Sequence, residues 1–397
     1  MIIRRLKPAE ADQSIRMSEF AFQYQMTDEE RRSRLTDMNP EDTWIAEEDG
    51  EILSKVTVLP LHAHLYGLPV PVGGVSGVAT WPEHRRKGIV ALMLKHALED
   101  MKERGQLLSM LYPFSVPFYR RFGYELFADQ ETLTLSREQL PLREEHDGHC
   151  TRIERDAEIL DPIYRVWAEK YNGSLSRSPE WWRKSVFKRK PGSITVYYRH
   201  GKARGYIIYE VKERKMHIEE LIWLDADARK GLFTFIRNHD SMAETFSIKT
   251  GAHDIFAFLL PDPKVKREVT SYFMARIVDC PMLLSLVPFQ LQENENIIIH
   301  LKDTLCPWNE GTYIIAAASG PPSRVKFFRS DFEDDKISRQ LPKRGLEMDI
   351  NMLTAIIMGA QTPIRLWEEE KITGDEEAAW ILEQSLPKRL PFIYDFF

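Results

Sequence analysis

The stretch Val75-Ser76-Gly77-Val78-Ala79-Thr80-Trp81-Pro82-Glu83-His84-Arg85-Arg86-Lys87-Gly88-Ile89-Val90-Ala91 decides how the N-terminal part of this chain folds. Val75 to Thr80 reads as a strand, and Pro82 turns the chain. From Ile89 onward, Ile89, Leu92, Met93, His96, Ala97 and Met101 mark one face of a helix that ends near Gly105. Leu107 to Leu111 is a short buried strand, so the whole makes a strand-loop-helix-strand unit. His84-Arg85-Arg86-Lys87-Gly88 then leads into the head of the helix. The first N–H groups of a helix have no intrahelical partner and carry partial positive charge, so they attract anions. Gly88 removes a side chain where a diphosphate would approach the backbone. Arg85, Arg86 and Lys87 add charge that can reach phosphate oxygens, those of a ribose phosphate included. A basic helix start on a solvated face is the plain alternative. It fits poorly, because cations at that end oppose the macrodipole unless an anion compensates.

Upstream, Ile2 to Leu6 reads as a strand and Ala9 to about Tyr24 as a helix, with Ala11, Ile15, Ser18 and Phe22 on one face. Thr27 to Pro40 is polar enough for a solvated helix or a mobile loop. Trp44 to Ala46, the turn Glu48-Asp49-Gly50 and Ile52 to Leu59 form a hairpin; Leu61 to Tyr66 turns through Gly67-Leu68-Pro69 into another strand pair. A short helix around Pro117 to Phe122 and a strand from Tyr124 complete a first domain by about residue 150, with a polar linker at Arg143 to Gly148. The pattern then begins again, with a helix over Asp161 to Tyr171 and strands at Ser193 to Tyr198, Gly205 to Val211 and Met216 to Leu224. A helix near Arg229 to Asp240 follows. Val78 and Gly88 are echoed by Leu221 and Gly231 at the same spacing, and Arg86-Lys87-Gly88-Ile89 by Arg229-Lys230-Gly231-Leu232. Chance and duplication both account for four residues. From about Pro288 the character changes to strands at Ile297 to Leu301, Gly311 to Ala317, Val325 to Phe328 and Leu346 to Ile350. Helices at Met352 to Met358 and Glu376 to Leu386 complete it. The expected domains are residues 1–150, 151–287 and 288–397.

A chain of 397 residues exceeds one ordinary core. The formal net charge of −6 argues against a nucleic-acid-binding protein, which usually carries a basic excess. No apolar run is long enough to suggest a membrane span, and Met1 to Leu6 breaks into charge too early for a secretory signal. Cys150, Cys280 and Cys306 are odd in number and far apart, which indicates neither a disulfide framework nor a metal site. A reducing cytoplasm fits best.

Arg85-Arg86-Lys87-Gly88-Ile89-Val90 resembles the Arg/Gln-x-x-Gly-x-Gly/Ala loop of GNAT-superfamily acetyltransferases, departing from it at Val90, where a small residue is usual. More specifically, the chain resembles the enhanced intracellular survival (Eis) family. That match draws on Gly77-Val78 through Gly88, on Phe118-Tyr119-Arg120-Arg121-Phe122-Gly123-Tyr124, and on the aromatic end Pro391-Phe392-Ile393-Tyr394-Asp395-Phe396-Phe397. The resemblance covers the whole length and implies an α+β class with mixed sheets: two tandem GNAT-like domains, then a sterol-carrier-protein-like α/β domain. It implies acetyl-CoA as co-substrate, an aminoglycoside or lysine amine as acceptor, and a homo-oligomer, a hexamer in the family.

Carried across by motif, Val78, Ala79 and Thr80 would meet the pantetheine arm with their backbone, in the manner of an added strand. Arg85, Arg86, Lys87, Gly88, Ile89, Val90 and Ala91 would hold the pyrophosphate, and Phe114 and Ser115 would flank the thioester. An amine attacks a thioester only when neutral, and the leaving thiolate benefits from a proton donor. Tyr119 aligns with the family's general acid; a core tyrosine is the alternative, as for Tyr124. The family's base is the C-terminal carboxylate, here that of Phe397, and an aromatic tail would both anchor and desolvate it. Docking for stability alone is the other reading of the tail. His84, His62 and His64 do not stand out as rival bases. Phe22, Trp44 and Asp395 are candidate acceptor contacts, each also readable as structural. In the second domain Ala228 stands where the first has Arg85, and Asp225 and Asp227 would repel a phosphate, so one acetyl-CoA per chain is expected. Acetylation of protein lysines, or a regulatory protein that binds CoA or an apolar ligand without acetyl transfer, are the alternatives in function.

Overall fold

A computed structural model of the chain describes residues 1–252, 254–317, 324–329 and 344–397. In its first unit the strands Ile2–Arg5, Thr43–Glu48, Glu51–Leu65 and Leu68–Thr80 pair antiparallel in sequence order. Leu108–Leu111 joins parallel to Leu68–Thr80, from Val72 opposite Leu108 to Val75 opposite Leu111. A parallel pair needs a crossover, and the helix Ile89–Glu103 makes it, burying Ile89, Met93, Leu94, Ala97, Leu98 and Met101. Leu92 and His96, expected on that face, are exposed, because the buried stripe is shifted by one position and takes Leu94 and Leu98 instead. The helix Ala11–Phe22 likewise buries Ala11, Ser14, Ile15 and Met17, leaving Phe22 exposed at its end. Thr27 to Pro40 contains the solvated helix Asp28–Asp37, started by a reciprocal Thr27–Glu30 cap.

The second unit repeats the plan. His149–Ile153, Ser193–Arg199, Lys202–Lys212 and Lys215–Trp223 pair antiparallel, and the helix Ala226–Arg237 crosses to Thr245–Gly251, which runs parallel to Lys215–Trp223. Each unit then closes with a strand from the other. Lys266–Ile277, from the second, lies beside Leu108–Leu111 of the first. Glu125–Ser136, from the first, lies beside Thr245–Gly251 of the second. These two exchanged strands pair with each other, so one 12-stranded sheet runs through both units. The echo Arg229-Lys230-Gly231 is not equivalent to Arg86-Lys87-Gly88: Gly231 lies inside its helix, packed on the Tyr197 ring, while Gly88 precedes its own.

The C-terminal region is a separate five-stranded sheet. Its helix Ile350–Met358 packs on the exchanged strands: the Ile277 N–H donates to Thr354 Oγ1 at 3.2 Å. One apolar core runs from Val70 and Val72 through Phe273 and Ala275 to Ile297, Leu353 and Phe397. Burial therefore welds the C-terminal region to the first unit.

Candidate active site

The head of the helix Ile89–Glu103 has no side-chain cap. Gly88, at φ 77°, precedes it, and the Ile89, Val90 and Ala91 N–H groups find no acceptor among the described residues. Arg86 and Gly88 both hold positive φ on either side of Lys87. Alternating handedness of this kind gathers successive N–H groups into an anion-binding hollow. A Cβ at Gly88 would meet nothing within 4 Å, so open space lies above the helix head. Arg86 and Lys87 are exposed and form no ion pair with a described residue. Arg85 spends one N–H on the Thr80 carbonyl at 3.2 Å. Its remaining donors border an open cleft of about 820 Å³ between this loop and the end of the first long helix at Glu19, Phe20 and Tyr24.

The strand Leu68–Thr80 leads into that loop. Its parallel partner stops at Leu111, opposite Val75, so Ser76 to Thr80 have no strand on that side. On the other side the register slips between Ser76 and Ala79, with Gly77 at φ 58°. This bulge bends the strand away from Leu108–Leu111 and opens a notch between them. Val78 is half-buried; Ala79 and Thr80 are buried, with Thr80 Oγ1 2.8 Å from Ser54 Oγ. Their side chains are engaged in the core, and the strand edge is what an extended ligand arm would meet.

Tyr119 sits in the short helix Val116–Arg120 beyond the notch and is only 2% exposed. Phe114, Phe118 and Tyr124 surround its ring at centroid distances of 5.2, 5.2 and 5.8 Å. Burial, and secondarily Tyr124, push the phenol well above its ordinary value of 10. The neighbouring Tyr124 is the structural one, its hydroxyl 2.7 Å from Ser109 Oγ; the Tyr119 hydroxyl makes no such bond with a described residue. The C-terminal region steadies this helix. Asn351 Nδ2 donates to the Arg120 and Tyr124 carbonyls, at 3.0 and 2.8 Å. The buried Arg276 guanidinium donates to the Phe122 carbonyl and to both Asp303 oxygens. Phe114 is 68% exposed and Ser115 half-buried, both on the loop between the notch and Tyr119.

The last residue reaches the same notch from the opposite side. The Phe397 ring packs on Phe273 and Trp181, at 5.0 and 6.2 Å, and a Cβ on Gly74 would stand 3.0 Å from it. Gly74 lies within the short parallel pairing, just before the strands part. One loop spans the distance between tail and tyrosine: the Tyr112 ring lies 5.0 Å from Phe396, and the Phe114 ring lies against Tyr119.

Several sequence candidates have other work. Asp395 is fully engaged, accepting from Arg177, from Trp181 Nε1 at 2.8 Å and from the Tyr164 hydroxyl at 3.2 Å, so it does not face an acceptor. Trp44 lies under the Arg5 guanidinium at 3.8 Å. Arg177, which no sequence feature singled out, is the centre of the buried network that holds Asp395. The second unit's helix head is unlike the first. Asp225 caps it, accepting from the Ala228 N–H at 2.9 Å, and pairs with Arg199 and Arg204. Asp227 binds the Tyr197 hydroxyl at 2.7 Å and the Asp147 N–H at 3.0 Å.

The chain matches models of the acetyltransferase (GNAT) domain over residues 2–127 and again over 173–277, and of the sterol carrier protein domain over 280–394. These matches define its class: two GNAT domains in tandem, then a sterol carrier protein domain. Within that class the chain is an Eis-like GNAT protein. It is 27% identical over 211 residues to the N-acetyltransferase Eis of Mycobacterium bovis, covering 50% of this chain and 52% of that one. With an uncharacterized N-acetyltransferase of Streptomyces avermitilis it shares 26% identity over 62% of its own length and 65% of the relative's. These alignments thus span less than two thirds of either relative. A probable N-acyltransferase from Enterococcus faecalis superposes over the whole chain and 99% of its own, with a TM-score of 0.90 at 27% identity. Eis1 from Mycobacterium abscessus shares the fold over both full lengths, with a TM-score of 0.82 at 20% identity.

Proposed function

We propose that the protein is an acetyl-CoA-dependent N-acetyltransferase that acetylates primary amines of a polycationic acceptor such as an aminoglycoside. The observation that carries this reading is the uncapped head of the helix Ile89–Glu103, with Arg86 and Lys87 beside it forming no ion pair with a described residue, directly after the bulged strand edge Ser76 to Thr80. The loop Arg85 to Ala91 holds the diphosphate, and Val78 to Thr80 pair with the pantetheine arm. This directs the thioester into the notch, between Phe114 and Ser115 on one side and the tail on the other.

There the neutral amine attacks the thioester carbonyl and the C–S bond breaks. The ammonium proton passes to the Phe397 carboxylate, and the departing sulfur receives a hydrogen bond from the Tyr119 hydroxyl. A phenol raised above 10 is a weaker acid than a thiol of about 8.5. Tyr119 therefore acts mainly as a donor to the developing negative charge, before the proton is fully transferred. The sign of the pH dependence follows. Activity rises as base and amine lose their protons, and no falling limb from Tyr119 appears below about pH 10.

Two measurements test this. Steady-state assays with acetyl-CoA against aminoglycosides and lysine peptides identify the acceptor class; acetylation of peptides alone would overturn the small-molecule reading. Tyr119→Phe is expected to lower kcat roughly a hundredfold at every pH, the lower end of a typical acid–base contribution. Full activity across the range would remove Tyr119 from the chemistry.

A further inference from the structure

The second unit has its own parting strand pair, and it is occupied by the chain itself. Lys215–Trp223 and Thr245–Gly251 run together only from Lys215 opposite Thr245 to Ile218 opposite Ile248, then separate. Tyr394 lies across the gap. Its hydroxyl donates to the Lys249 carbonyl at 3.3 Å on one strand, and it shares a cavity wall with Leu221 of the other. Just before it, the Phe392 N–H donates to the Asn172 carbonyl at 3.0 Å, and the Phe392 carbonyl accepts from Ser174 Oγ at 2.8 Å. A Cβ on Gly251 would touch the Phe392 ring at 3.0 Å. Phe392 and Tyr394 thus line one side of the second notch, which keeps a cavity of about 190 Å³ toward Trp223 and Phe256, and three residues after Tyr394 Phe397 lies at the first.

Between the two notches lies an ion network with almost no solvent access. Arg177 forks onto Glu220 and Asp395, and the side-chain exposures are 0%, 0% and 1%. Lys190 pairs with Glu220 and donates to the Tyr394 carbonyl at 2.9 Å. Two cations face two anions. The guanidinium also lies 3.7 Å from the Tyr164 ring. Such a network costs much desolvation and gains little over an apolar seam, but it admits one geometry. What it fixes is Asp395, two residues from the chain end. The Asp395 carbonyl is held as well, by the Tyr272 hydroxyl at 3.2 Å.

We propose that the second unit's notch is the socket for the C-terminal tail, and that Arg177 and Asp395 are a positioning pair that aims the Phe397 carboxylate. This rests on the terminal-base reading above and assigns the degenerate unit a part in it. The pair touches no reactant; it acts through the last two residues.

A double-mutant cycle tests it in the full protein, using Asp395→Asn, deletion of Phe397, and both together. Readouts are kcat, melting temperature and acetyl-CoA affinity. Asp395→Asn is expected to lower kcat roughly tenfold to a hundredfold, the scale of a misplaced catalytic group. Acetyl-CoA affinity should stay within about twofold, and the loss should vanish once Phe397 is gone. An equal loss in both backgrounds, or none in either, would overturn the proposal while the terminal base stands. If deleting Phe397 leaves turnover unchanged, the terminal-base reading falls and this inference falls with it. Should Asp395→Asn not fold, Tyr394→Phe, which removes only the hydroxyl bonded to the Lys249 carbonyl, is read by the same criteria with a smaller expected loss.

Discussion

The helices Ile89–Glu103 and Ala226–Arg237 make the same crossover between parallel strands, yet their first turns are built in opposite ways. In the second, the chain turns directly from Trp223 into the helix, and the Asp225 carboxylate takes the free N–H of Ala228 while Arg199 and Arg204 balance its charge. A carboxylate therefore already stands where an external anion would bind. In the first, a longer loop carries three cations past the strand end, and glycine stands where a cap would. A helix head that is left unsatisfied sacrifices some stability for a site; one that is satisfied internally is architecture. The notches below the two heads differ as well: Tyr394 of the tail docks on the Lys249 carbonyl at the second, beside a cavity of about 190 Å³.

Making the first head resemble the second should have the largest effect. Gly88→Asp would set a carboxylate among the N–H groups and against a bound diphosphate. Two like charges about 4 Å apart at a partly shielded site interact by about 4 kcal/mol. Acetyl-CoA affinity is therefore expected to fall by roughly a hundredfold or more, measured by equilibrium titration; unchanged affinity would mean that the diphosphate lies elsewhere. Removing one cation should do less. Arg85→Ala is expected to weaken acetyl-CoA about tenfold, the scale of one hydrogen bond to a charged group. Its melting temperature should barely move, because the Arg85 side chain makes a single hydrogen bond among the described residues. Opening the second head should matter least for binding. Asp225→Ala removes a cap, at a cost of about 1 kcal/mol in stability, and should leave acetyl-CoA affinity within about twofold. A large loss of affinity would show that the second head takes part in binding after all.

Much of this contrast was legible in the sequence because it is local. Gly88 after three basic residues, and Asp225 and Asp227 at the head of the second helix, are readable without knowing what they pack against. Matching Gly231 to Gly88 failed for a physical reason: the second connection is shorter, so the shared word falls inside the helix and its glycine serves packing on Tyr197. Leu92, His96 and Phe22 share the spacing of the buried residues yet are exposed, because helical spacing alone does not fix which edge of a stripe meets the sheet. The exchange of Glu125–Ser136 and Lys266–Ile277 could not be read at all, since pairing between strands so far apart in sequence leaves no local signal. The tail illustrates both cases. Its aromatic character announces burial, but the role of Asp395 depends on Arg177 and Glu220, brought in from elsewhere by the fold.

Counting acetyl-CoA molecules bound per chain at equilibrium, in the unmodified protein, tests the contrast most directly. One per chain is expected, lost in Gly88→Asp and retained in Asp225→Ala. Two per chain, or one that survives Gly88→Asp, would contradict the assignment of the open helix head as the diphosphate site.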